Sequence, residues 1–92
     1  MLILSRSIGE STIIGDLCVS FTGVFNKKVQ LVIFKQREKS DFSLLEGKLE
    51  EEISLSENVK IKILEIRGRQ VRIGIGAPYG VLILRDKLAE GK

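Results

Sequence analysis

The same alternating pattern of apolar and polar residues occurs twice along this chain. Residues 59–75 form two alternating runs joined by a turn at residues 67–69, and residues 18–34 repeat that form with a turn near Asn26-Lys27. Residues 29–31 (Val-Gln-Leu) match residues 71–73 (Val-Arg-Ile) at an offset of 42. A period of two predicts half-buried β-strands, paired here as hairpins. The repetition indicates an internal duplication.

The rest of the chain also favours short strands. Residues 1–6 predict a first strand, residues 9–11 a turn, and residues 12–14 a second short strand. Ala77-Pro78 is expected to end the second hairpin, because proline cannot donate to a ladder. Residues 81–85 predict a last strand, followed by about one helical turn over residues 86–90. The expectation is one mainly β domain, residues 1–92, with about nine short strands.

Residues 42–52 fit more than one structure. Phe42, Leu44, Leu45 and Leu49 are spaced as a helical stripe would be. Residues 42–49 also align with residues 81–88, which would make them a strand followed by a short helix. This alignment sets Glu46 opposite Arg85, and it is the interpretation we favour.

The amino-acid composition excludes several kinds of catalytic and metal-binding site. The chain has no histidine and one cysteine, Cys18, which excludes a histidine-based triad, a histidine metal site and an intramolecular disulfide. We therefore expect neither an enzyme nor a cofactor. Net charge is +3, but residues 42–52 carry −3 and residues 53–92 carry +4. A basic C-terminal half favours binding to a polyanion. No apolar run approaches the ~20 residues of a membrane span, so a cytoplasmic location is expected.

Several motifs together resemble the carbon storage regulator (Csr/Rsm) family. They are the opening Met-Leu-Ile-Leu-Ser-Arg at residues 1–6, Gly-Arg-Gln-Val-Arg-Ile-Gly at residues 68–74, and Val81-x-Ile83-x-Arg85. The resemblance implies five-stranded units that interleave as a homodimer. It also implies binding of GGA-type motifs in mRNA leaders, repression or modulation of translation, and sequestration by small RNAs. The chain departs from the family in its length, its reduced C-terminal helix, and Ser7 in place of a basic residue.

The resemblance also implies a set of RNA-binding residues. The first strand would contribute Leu4, Ser5 and Arg6, and the fifth strand of the partner unit would contribute Val81, Ile83 and the essential Arg85. Independently of the resemblance, general electrostatic attraction for RNA would come from Lys60, Lys62, Arg67, Arg69 and Arg72. A solvated strand face is the simpler explanation for the two lysines.

Duplication and resemblance combine into one hypothesis. Residues 1–52 resemble a unit with a degenerate fifth strand, and residues 53–92 a unit that lacks its first strand; alternatively, residues 42–46 supply that first strand. Either alignment predicts Csr-like interleaved antiparallel sheets as an intrachain pseudo-dimer, with short helical segments and one competent RNA site. Such a chain would be a monomer or a homodimer. A competing hypothesis is a protein-interaction module, or antagonist of related regulators, that has lost RNA binding.

Overall fold

The computed structural model describes residues 1–36 and 38–84, with the backbone alone for residues 38–40. Within these ranges the chain forms nine β-strands and no helix. The strands are β1 (Leu2–Ser7), β2 (Ser11–Ile14), β3 (Leu17–Phe25), β4 (Lys28–Lys35), β5 (Glu38–Lys48), β6 (Glu52–Ser54), β7 (Lys60–Arg67), β8 (Gln70–Gly76) and β9 (Ile83–Leu84). The mainly β prediction is therefore confirmed.

The strands form two antiparallel sheets. The four-stranded sheet has the order β1-β8-β7-β6, and the five-stranded sheet has the order β5-β4-β3-β2-β9. Side chains from both contribute to one core, in which Phe21 and Ile63 are fully buried. Burial of alternate residues on each strand gives each sheet one core-facing side.

Both predicted hairpins are present. β3 and β4 meet at Asn26 and Lys27, which have φ of 54° and 63°. Two successive left-handed residues are typical of the tight turn whose twist matches that of the flanking strands. β7 and β8 join through Gly68, with φ of 60°, a conformation that glycine adopts without a Cβ penalty.

Residues 42–52 contain no helix, so the helical stripe and the short helix expected there were wrong, whereas the strand that we favoured is present as part of β5. β5 pairs with β4 along most of its length, with Leu45 opposite Leu31 and Leu44 opposite Val32. Leu45 is half-buried against the core, whereas Leu44 is 70% exposed. A helical period and a strand period both fit these residues, and pairing with β4 makes them a strand. Only residues 36–37 separate β4 from β5, and the helical turn expected at residues 86–90 lies outside the described residues.

Strands from the two ends of the chain pair with each other. β1 lies against β8, from Leu2 opposite Ile75 to Ser7 opposite Gln70. β9 lies against β2, with Ile83 opposite Ile14.

In the part of the chain that the structure describes, no helix has the length and apolarity needed to cross a membrane.

Candidate nucleic-acid interface

The first strand presents its predicted site residues on two different faces. Leu4 and Arg6 face the core, opposite the buried Ile73 and Val71. Ser5 faces outward, opposite the exposed Arg72. Because β1 is an edge strand of its sheet, its backbone is paired with β8 on one side only within the described ranges.

The side chain of Arg6 lies on the core-facing side of β1, and only 5% of the residue's surface is exposed. Its Nη2 donates to the carbonyl oxygen of Ser11 at 3.2 Å and lies 3.3 Å from Glu10 Oε1. The same carboxylate accepts a hydrogen bond from the backbone N–H of Ser7 at 2.7 Å. The guanidinium therefore holds the turn that connects β1 to β2, a positioning role not foreseen from the sequence.

Replacing Arg6 with alanine is expected to destabilise the fold by about 1–3 kcal/mol, because the buried contacts to Ser11 and Glu10 are lost. The free energy of unfolding in urea checks this. Arg6→Lys should recover only part of the loss, because lysine lacks the planar fork. Unchanged stability of Arg6→Ala would contradict the positioning role.

The outer face of the four-stranded sheet carries a small polar cleft beside Ser5. Its volume is about 90 Å³, and Arg67, Arg72 and Gln70 are among its lining residues. Arg67 Nη2 forms an ion pair with Glu65 Oε2 at 3.2 Å. The pairing of β1 with β8 thus places Arg72 next to the first strand, a neighbourhood that only the sheet register reveals.

A second cleft, of about 290 Å³, opens farther along the same face between Lys60, Lys62 and Met1. Lys60 Nζ lies 4.0 Å from Glu52 Oε1, and Met1 packs over Gly74, where a Cβ would collide with its side chain. The face therefore carries several basic side chains, and Gly74 and Gly76 of β8 add no side chain beside them, which suits an extended polyanion. Arg69, the remaining auxiliary residue, is exposed in the β7–β8 turn.

Residues 81–84, which end in β9, bring two further predicted residues to the edge of the other sheet. Val81 and Ile83 are half-buried against the core, and the backbone N–H of Gly15 donates to the carbonyl oxygen of Leu82 at 2.7 Å. Arg85 follows β9 in the sequence but lies outside the described residues. Its meeting with Arg6 therefore stays a prediction.

Two turns in the chain have the same hydrogen bonds. In residues 7–10, Ser7 N–H donates to the Glu10 carboxylate at 2.7 Å and Glu10 N–H to the Ser7 carbonyl at 3.0 Å. In residues 48–51, Lys48 and Glu51 make the same two bonds at 3.0 and 2.9 Å. The turns are 41 residues apart, close to the offset of the hairpins.

The two turns also make matching hydrogen bonds to core residues. Gly9 N–H donates to the carbonyl oxygen of Phe21 at 2.7 Å, and Glu50 N–H to that of Ile63 at 2.6 Å. Gly9 and Glu50 also share a positive φ, 102° and 62°. β5 and its turn therefore occupy, against β4, the place that β1 and its turn occupy against β8.

Comparison with known proteins decides the family. The model of the CsrA global regulator protein family matches residues 44–92, which is more than half of the chain. The chain belongs to the CsrA family. This confirms the resemblance drawn from the motifs.

Several relatives carry the name Translational regulator CsrA, and three of them show the extent of the match. The protein of Lachnoclostridium phytofermentans is 50% identical over 44 residues, covering 48% of this chain and 61% of that protein. The protein of Thermosipho melanesiensis is 47% identical over 47 residues (51% and 63%), and that of Geobacter metallireducens 38% over 45 residues (49% and 58%). The chain spans less than two thirds of the length of these CsrA relatives. No solved structure matches it.

The CsrA match begins inside β5, so it includes the second of the two equivalent turns. Gly47 lies opposite Val29 in that strand, as Arg6 lies opposite Val71 in β1. The side chain of Ile53 occupies the space where a Cβ of residue 47 would project. The second copy of the first strand therefore has no arginine at the position equivalent to Arg6.

Proposed function

We propose that the chain is an RNA-binding post-transcriptional regulator with one competent site. It would recognise GGA-type motifs in the loops of mRNA leaders, modulate translation by excluding the ribosome, and be sequestered by small RNAs carrying the same motif. The observation that carries the proposal is the exchange of strands between the two ends of a CsrA-family chain. β9 pairs with β2, and β2 is joined to β1 by the turn that Arg6 holds.

The site would combine three kinds of contact. Arg85, which follows β9, offers a planar donor fork to phosphate or to a guanine edge. The outer edge of β1 offers backbone donors and acceptors to unstacked bases. Ser5 and Arg72 lie side by side on the adjoining face, where the cation attracts the phosphate backbone.

The equivalent corner in the other half of the molecule differs in its side chains. Gly47 stands where the first half has Arg6, and Glu46 is exposed and lies 3.9 Å from Lys28 Nζ. Glu50, Glu51 and Glu52 are exposed nearby. Carboxylates repel phosphate, so this half is proposed to bind no RNA.

Titration of the chain with a short hairpin carrying GGA in its loop is expected to saturate at one RNA per chain. Isothermal calorimetry measures the stoichiometry directly, and sedimentation of the complex separates one chain per RNA from two. Saturation at two RNAs per chain would contradict the single site. Absence of binding at moderate salt would contradict RNA recognition itself and favour the protein-interaction module.

A further inference from the structure

The corner between the five-stranded sheet and β6 has an open cleft. It has a volume of about 230 Å³ and is lined by residues that include Ile33, Lys35 and Asp41 of the five-stranded sheet and Leu55, which follows β6. Leu55 is only half-buried there, although it packs against the core. Within the described ranges, no strand pairs with the outer edge of β6.

The equivalent corner at the other end of the molecule is closed by β9. By the 41-residue offset of the two turns, Leu55 corresponds to Ile14. Ile14 lies opposite Ile83 and is only 1% exposed. The cleft beside β6 is thus the place that a second copy of β9 would fill.

The order of the strands along the chain explains why no strand fills the cleft beside β6. β8 is followed by residues 77–82 and then by β9, whereas β4 is followed by residues 36–37 and then directly by β5. Within residues 1–36 and 38–84 the chain therefore has one strand of this kind, and β2 uses it. A second copy offers no further strand from these residues, because its own β9 closes its own β2.

From this geometry we infer that the cleft beside β6 docks an extended segment of a different protein. The segment would add to the sheet edge in an antiparallel direction, as β9 does at β2. Its apolar residues at positions i and i+2 would cover Leu55 from the place that Val81 and Ile83 occupy beside β2, where Ile83 lies opposite Ile14. This interaction goes beyond the proposed RNA binding and does not depend on it.

Charge adds a requirement on the residues that follow the apolar pair. An antiparallel segment that starts at Leu55 runs toward Ile53 and then toward Glu52, with Glu50 and Glu51 in the adjoining turn. These three glutamates are exposed, so they favour lysine or arginine in the later part of the segment. The partner segment is therefore apolar-x-apolar followed by basic residues.

A labelled peptide with the sequence of residues 77–88 has this pattern and serves as the probe. Nuclear magnetic resonance titration of the full chain should show saturable binding, with the amide signals of Ile53 and Leu55 shifted. A matched peptide with aspartate in place of the two apolar residues, equivalent to Val81 and Ile83, should bind at least tenfold more weakly. In the protein, Leu55→Glu should also weaken binding at least tenfold.

Circular dichroism shows whether Leu55→Glu is folded, and Leu55→Ser serves in its place if it is not. Absence of saturation by about 1 mM peptide, which corresponds to about −4 kcal/mol, would overturn the inference. It would equally be overturned if the shifts fell on Ile13 and Ile14 and Leu55→Glu bound normally. That pattern would mean that the peptide displaces β9 from β2.

Discussion

Replacing Arg85 with alanine is expected to weaken binding of a GGA-loop hairpin by about 10–100-fold. This corresponds to the ~1–3 kcal/mol of a good bidentate arginine contact to a base edge. Arg85→Lys should recover little, because an ammonium group retains the charge but not the donor fork. Fluorescence anisotropy at fixed moderate salt measures the affinities, and the thermal midpoint of each variant shows whether the fold is retained.

Lys60→Ala is the matched control for this prediction. Lys60 lies on the outer face of β7, 4.0 Å from Glu52, away from the proposed site. Its removal should lower affinity slightly and reduce the dependence on salt by at most about one counterion. If Lys60→Ala weakened binding as much as Arg85→Ala, binding would rest on a diffuse positive field and not on one arginine.

Replacing Phe21 with alanine is expected to cost about 3–5 kcal/mol of folding free energy, because the aromatic ring is fully buried between the sheets. A domain of this size has a total stability of about 5–15 kcal/mol. The thermal midpoint should therefore fall by at least about 12 °C, at ~4–8 °C per kcal/mol. Phe25→Ala, at a position 65% exposed on the same strand, should change stability by less than about 1 kcal/mol.

The same experiment tests whether the chain unfolds as one unit. Phe21 lies in the first half of the chain and Ile63 at the equivalent place in the second, and both belong to one core. Calorimetry of wild type and Phe21→Ala should each show a single transition with equal calorimetric and van't Hoff enthalpies. Two separate transitions, with only one shifted by the substitution, would contradict a shared core.

The hairpins could be predicted because their signals are local. Alternating residues fix which side of each strand is buried, and Asn26-Lys27 and Gly68 provide turns that tolerate positive φ. The local signal of β5 is ambiguous, because Phe42, Leu44, Leu45 and Leu49 fit a helical period as well, and the favoured strand was expected to end in a short helix. Its pairing with β4 settles the structure, and sheet pairing is not encoded in a single segment.

The sequence did contain a signal for the orientation of Arg6 that was not used. Arg6 is two residues after Leu4 and four after Leu2, so an alternating strand puts it on their side, toward the core. The role of Gly47 was hidden for another reason. Aligning residues 42–49 with the last strand drew attention to Glu46, whereas the equivalent turns at residues 7–10 and 48–51 align Gly47 with Arg6.

The pairing of β1 with β8 has a consequence for the synthesis of the chain. Leu2 lies opposite Ile75, so β1 leaves the ribosome long before the strand with which it pairs. At 5–20 residues per second the delay is roughly 4–15 s, far longer than the microseconds that a hairpin needs to form. During that time Leu2, Ile3 and Leu4 have no sheet partner, so β1 needs protection from aggregation until β8 has been made.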